Sequence, residues 1–286
     1  MSSLSTVQER AKGVVAPGLA GKMFRMGRYL PPPDLAAFLE HYWIVEWDLR
    51  GQPPFVQRTL PYPSVQVVFD RARSGVFGVS TGAFDYTLQD AGKVCGLKFR
   101  PGAFRGLLGR AVHTIADQVL PLSSVFAWDV AAAQAAVLGQ ADDESMIAAA
   151  NALLRTCLPA PDPQVERIAA ILRTVEGTPG LTQVDALAAG ACLHVRSLQQ
   201  LFSDYVGVSP KWVIRRFRLH EAADRLAHGA EVDLGVLALD LGYFDQAHFT
   251  SDFRRLVGQA PGRYRDEARE WVQEKMQEKT QEKTQE

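Results

Sequence analysis

Through the first half of the chain the apolar positions come in short runs; from about Trp128 onward they recur with helical spacing. "HYWIVEWDL", "SVQVVFD", "SGVFGVS" and "KVCGLKF" are β-branched and aromatic segments bounded by Pro, Gly and Asp, the pattern of strands. Ahead of them "DLAAFLEHYW" follows "PPP" with helical spacing, and Asp34 stands at its N-cap or first turn. "FRPGAFRGLLG" reads as a turn that leads into a helix. "WDVAAAQAAVLGQADDESMIAAANALLRTCL" is rich in Ala and Leu and predicts helices interrupted near Gly139. "PAPDP" at 159–163 breaks the periodicity and reads as a linker.

Beyond the linker nearly everything reads as helix. "VERIAAILRTV" is amphipathic, and Thr182 with Asp185 resembles a capping box ahead of "QVDALAA". Gly190 to His194 is a turn, and "VRSLQQLFSDYVG" is the next helix, stopped at Gly207. Ser209 caps a longer helix, "PKWVIRRFRLHEAADRLAHG", with Pro210 at its first position. Asp233 caps "LGVLALDLG" and Asp245 caps "QAHFTSDFRRLVG".

A short helix, a glycine-bearing turn and a second helix thus occur twice. In each copy a small residue, Ala188 or Ala238, allows two helices to cross closely. Leu198, Leu201 and Phe202 in the first copy, and Phe244, Phe249 and Phe253 in the second, are spaced for burial. Arg196, Gln199 and Gln200 remain on one face of the first second-helix, as do Gln246, His248 and Ser251 on the other. A helix-turn-helix uses this geometry to leave one helical face clear for a DNA major groove. There Arg pairs with guanine and Gln with adenine, each pair discriminating by roughly 1–3 kcal/mol. One such hairpin is more often an ordinary surface helix; two copies joined by one continuous helix favour the DNA reading. "KWVIRRFR" concentrates positive charge, so Lys211, Arg215 and Arg216, with Arg254 and Arg255, are candidates for phosphate contact.

Composition changes this picture little. The 286 residues predict two domains, and 47% hydrophobic content supports a sizeable core. A net charge of −1 gives no overall attraction to an acidic partner, so local clustering must supply it. Cys95, Cys157 and Cys192 form no CxxC motif or disulfide framework, which fits a reducing cytoplasm. "MSSLSTVQERAKGVV" has no apolar core of signal-peptide type, and no apolar run approaches the roughly 18 residues of a membrane span. The expectation is a cytoplasmic protein with no membrane partner. His41 and His113 are the histidines of the first half and form no His-x-His pair, so no metal, cofactor or catalytic residue is expected. The aromatic cluster "HYWIVEW" reads as sheet core before it reads as an effector pocket, and Arg100 reads as a structural ion pair.

Residues 163–265 resemble the DNA-binding domain of the AraC/XylS family of bacterial transcription regulators. The resemblance rests on "LA" at 187–188, "RSLQQLF" at 196–202, "GVSP" at 207–210 and "RLHEAADRL" at 218–226. It continues through "ALDLGYFDQAHF" at 238–249 and "FRRLVGQAPGRYR" at 253–265. Residues 24–127 are similar, more weakly, to the N-terminal domain of a subgroup with "FRPGAF" at 99–104. The resemblance implies two recognition helices entering successive major-groove segments on one face of the DNA. Against the family pattern, His194 replaces the Ser cap of the first recognition helix, and Cys192 stands where a turn glycine is usual. Gln200 and Ser251 stand where a basic residue is common, and Ser251 implies weaker contact by the second helix.

The expected fold is α+β in two domains: a cupin-like β-barrel or sandwich with flanking helices, then an all-α domain with two helix-turn-helix units. The boundaries read as 1–158 for sensing or dimerisation, a linker at 159–163, the DNA-binding domain at 163–266 and a solvated Gln/Glu/Lys tail at 267–286. The expected function is sequence-specific transcription regulation on double-stranded promoter or operator DNA. RNA polymerase, a small-molecule effector and a second copy of the chain are the further partners considered. The alternatives are a β-barrel enzyme with a fused helical tail, and a degenerate family member acting through protein contacts.

Overall fold

The computed structural model describes residues 5–6, 23–178, 180–228 and 232–269. Most of the expected solvated tail therefore lies outside the described residues. In the N-terminal half the strands are β1 (Arg25–Tyr29), β2 (Leu39–Asp48), β3 (Phe55–Thr59), β4 (Gln66–Asp70), β5 (Gly75–Phe77), β6 (Phe84–Leu88), β7 (Ala91–Phe99) and β8 (Val119–Leu120). Six of them form an antiparallel sheet in the order β1-β2-β7-β4-β5-β8, and β3 pairs with β6 as a separate ribbon. Among the described residues the sheet does not close, because its edge strands β1 and the two-residue β8 do not pair with each other. Of the barrel or sandwich that the sequence suggests, the β-rich half shows an open six-stranded sheet and no closed barrel.

Alternation along β2 explains how the sheet sits. Tyr42 and Ile44 are fully buried on one face, opposite Leu97 and Cys95 of β7. On the other face Trp43 and Trp47 lie opposite Gly96 and Gly92, whose missing side chains leave room for the indoles. The predicted helix over "DLAAFLEHYW" is replaced by turns at 33–38, and the chain enters β2 at Leu39. The β-branched and aromatic run that follows finds two sheet neighbours, and this tertiary pairing overrides local helical spacing. Asp34 forms an ion pair with Arg155 at 2.8 Å instead of capping a helix.

A short helix α1 (Arg105–Leu108) follows the "RPG" turn, and α2 (Val130–Leu138) and α3 (Asp143–Arg155) pack on the sheet. The Tyr42 hydroxyl donates to Asn151 Oδ1, and both groups are buried where β2 meets α3. Arg25 and Tyr29 of β1 both reach Asp143 in the first turn of α3, at 2.7 and 2.5 Å. Arg100 pairs with Glu166 at 2.6 Å.

The C-terminal half consists of α4 (Pro163–Glu176), α5 (Val184–Gly190), α6 (Val195–Leu201), α7 (Pro210–His228), α8 (Leu234–Asp240) and α9 (Gln246–Val257), with residues 261–269 also helical. After α6 the chain makes a π-type turn over Phe202–Val206 and stops at Gly207, whose φ is +89°. Asp233 and Asp245 cap as their positions predict, accepting from backbone N–H groups of Gly235 and Val236 and of His248. The capping box at Thr182 does not form: Gln183 is the N-cap, so Asp185 falls at the second helical position, one short of the position a box requires.

The hydrophobic packing does not divide at the linker. One core runs from the sheet through α2, α3 and α4 into α5, α6 and the start of α7; a second is built from the rest of α7 with α8 and α9.

The two helix-turn-helix units share a turn. Leu193 N–H donates to Ala188 carbonyl in the first, and Tyr243 N–H donates to Ala238 carbonyl in the second, at 2.9 and 2.8 Å. The residue before each donor lies in the left-handed region: Gly242 with φ +72° and Cys192 with φ +52°. A side chain there costs about 1–2 kcal/mol.

Two consequences for stability follow in urea titrations. Tyr42→Phe leaves Asn151 Oδ1 buried without its donor and should destabilise the protein by about 1–3 kcal/mol; no change would show that the two groups do not depend on each other. Cys192→Gly should stabilise by about 1 kcal/mol, since relief of the left-handed strain exceeds glycine's extra chain entropy. A loss of stability would place the Cys192 side chain, not the backbone, in control of the turn.

Candidate nucleic-acid interface

The first candidate reading surface is the outer face of α6. Leu198 and Phe202 are fully buried beneath it, while Arg196, Gln199 and Gln200 are exposed. His194 occupies the N-cap and its side chain caps no backbone N–H, so the helix starts without that support. The Gln200 amide donates to the Asp204 carboxylate at 2.9 Å, which leaves Arg196 and Gln199 the freer pair.

On α9, Phe249 and Phe253 face inward and are fully buried. Gln246, Ala247, Thr250, Ser251, Arg254 and Arg255 line an open groove along the outer face. This set follows helical geometry, as the adjacent pairs 246/247, 250/251 and 254/255 recur every four residues on one side. His248 does not belong to it. Its ring packs edge-on against Tyr243, with centroids 5.3 Å apart, and its Nε2 lies 3.9 Å from Asp252 Oδ2. Ala247 and Thr250 take the places that polarity alone did not reveal.

Phe244 corrects the sequence expectation. It is 89% exposed, and Tyr243 is buried in its place. The positive φ of Gly242 reverses the chain and turns Tyr243 inward; Phe244 then points outward just before the Asp245 cap. Arg218 lies over the Tyr243 ring at 4.0 Å and donates through Nε to the Leu241 carbonyl. Burial pushes the Tyr243 phenol up to about 12, so it stays protonated.

The expected phosphate-contact residues divide into three groups. Lys211 and Arg254 are exposed. Arg215 and Arg255 are held by Asp252, a buried carboxylate on α9, at 2.5 and 3.0 Å. Asp252 thereby holds two cations, one of them the groove-lining Arg255, a role the sequence reading did not assign to it. Arg216 is the second correction: only 2% exposed, it donates through Nε to the Pro61 carbonyl and cannot reach a surface phosphate in this arrangement. Helical periodicity explains the outcome, because Arg216 lies between Val213 and Phe217 on the inward side of α7, whereas Arg215 turns toward Asp252 of α9.

Residues 187–267 match a helix-turn-helix domain family, and residues 27–121 match a domain of unknown function, DUF6597. The RCS-specific HTH-type transcriptional activator RclR of Escherichia coli K12 is 31% identical over 105 residues, covering 36% of this chain and 37% of its own length. The transcriptional activator NphR of a Rhodococcus species is 28% identical over 217 residues, 75% of this chain and 60% of its own. The chain thus spans less than two thirds of either relative. A transcriptional regulator of Chromobacterium violaceum with an AraC-type DNA-binding domain is 21% identical, with a TM-score of 0.34, over 36% of this chain and 92% of that one. No helix among the described residues is long and apolar enough to cross a membrane. The C-terminal pair of helix-turn-helix units is thus similar to the AraC-type DNA-binding domain, and the β-rich half to a DUF6597 domain.

Proposed function

We propose that the protein is a sequence-specific DNA-binding transcription regulator, with α6 and α9 as its two reading helices. The observation that carries this reading is the pair of exposed polar helix faces, each backed by a buried aromatic or aliphatic row and joined through the single helix α7. The activator names of the two relatives support it. On this reading Arg196 and Gln199 of α6, with Gln200 beside them, meet base edges in one major-groove segment. Gln246, Thr250 and Ser251 of α9 meet them in the next, where Ala247 can approach a thymine methyl. His248 serves by orienting the helix. Lys211, Arg215, Arg254 and Arg255 neutralise phosphates. The β-rich domain senses or dimerises.

Gel-shift titration of the full chain on DNA selected from a random library tests the reading. Affinity should fall steeply with salt, with a log–log slope near −0.9 per phosphate contact. No selected sequence, or binding indifferent to salt, would overturn it.

The roles should also separate by mutation. Arg196→Ala should relax preference at one base pair, costing about 1–3 kcal/mol there, while Lys211→Ala should weaken all sequences alike and lower the salt slope by about 1. Identical profiles for the two variants across the library would show that these residues are wrongly assigned.

A further inference from the structure

The turn of the second helix-turn-helix is one residue longer than that of the first. In the first unit Leu193 N–H donates to the Ala188 carbonyl, and the next residue, His194, is the N-cap of α6. In the second, Tyr243 N–H donates to the Ala238 carbonyl, but the N-cap of α9 is Asp245. Phe244 stands between them and has no counterpart in the first unit. The same hydrogen bond closes both turns, so the turn itself does not call for the added residue.

The packing leaves the Phe244 ring no structural role. An apolar residue directly before an N-cap ordinarily staples onto the fourth residue of the helix, here Phe249. Phe249 is fully buried, but the ring that meets it from the turn is Tyr243, with centroids 5.4 Å apart. Phe244 is 89% exposed and adds almost nothing to the core. A single apolar side chain on a surface is ordinary; what distinguishes this one is its place. It stands two residues before Gln246, the first residue of α9 and a lining residue of the open groove. Their Cα atoms are therefore at most about 7 Å apart.

The N-terminal residues of a recognition helix are the ones that meet base edges in the major groove. Polar side chains there read donors and acceptors. The apolar feature that a base pair offers in that groove is the C5-methyl of thymine, which a phenyl ring can cover.

We propose that Phe244 is a base-reading residue of the second helix-turn-helix, its ring packing on the C5-methyl of a thymine beside the bases that Gln246 meets. Such a contact rests on the DNA-binding reading above and adds to it a residue and a base. Ring and methyl carry no charge, so the contact releases no counterions and is indifferent to salt, unlike those of the phosphate-binding cations.

The test uses the full chain and the DNA selected from the random library. Each thymine of the selected site is replaced in turn by uracil, which pairs with adenine in the same way but carries hydrogen at C5. At one thymine the wild type should lose affinity about fourfold, the worth of one buried methyl-sized group. Phe244→Ala should bind the thymine and uracil duplexes equally at that position. Phe244→Leu should keep part of the difference, and Ala247→Gly should leave it intact. The affinity that Phe244→Ala loses should be the same factor at low and high salt. Its melting midpoint should equal that of the wild type, since the exposed ring supports no packing. A selected site with no uracil-sensitive thymine, or a uracil penalty undiminished in Phe244→Ala, would overturn the proposal and leave the DNA-binding reading standing. A midpoint lowered by several degrees would overturn it too, making Phe244 a structural staple. Failure to select any sequence would remove both.

Discussion

The structure depends on one helix being shared between two cores. The N-terminal part of α7 places Val213, Ile214 and Phe217 in the core that also contains the sheet, α5 and α6. Its C-terminal part places Leu219, Ala222, Ala223 and Leu226 in the core built around Phe249 and Phe253. A continuous helix advances about 1.5 Å and turns about 100° per residue. The orientation of one helix-turn-helix relative to the other is therefore set by where along α7 the apolar face passes from the first core to the second. Both units pack directly on this helix, so the DNA each reads must be offered at a fixed offset.

The same helix ties the reading domain to the β-rich half. Trp212 Nε1 donates to the Thr81 carbonyl at 3.2 Å, and Ser203 Oγ lies 3.1 Å from His113 Nδ1. Arg58 of β3 pairs with Asp85 and reaches the Val257 carbonyl at the end of α9. The β-rich half thus touches both helix-turn-helix units. Net charge contributes little: the chain is near neutral, and the cations that matter are placed by Asp252 and by helix position.

Much of this was legible from spacing and capping. Asp233, Ser209 and Asp245 mark helix starts because their side-chain oxygens have only one local role to fill. The repeated alanine and the apolar positions three or four apart locate the two helix-turn-helix units. What was not legible depended on contacts distant in sequence. Whether Tyr243 or Phe244 turns inward is decided by the positive φ of Gly242, a choice two adjacent aromatics do not reveal. Arg216 reads as one more cation in a basic run, and only the docking of segment 61–64 buries it. "DLAAFLEHYW" has helical spacing, yet its strand neighbours β1 and β7 lie outside any local window. His248 is polar and near the groove, but Tyr243 and Asp252 hold it aside.

The central claim is that α7 holds two reading helices in a fixed relation so that both engage one face of DNA. Hydroxyl-radical footprinting of the full chain on its best selected site tests this most directly. Two protected tracts on the same face, centred about one helical turn apart, roughly 10–10.5 bp, are predicted. A single protected tract, or two tracts on opposite faces, would contradict the account.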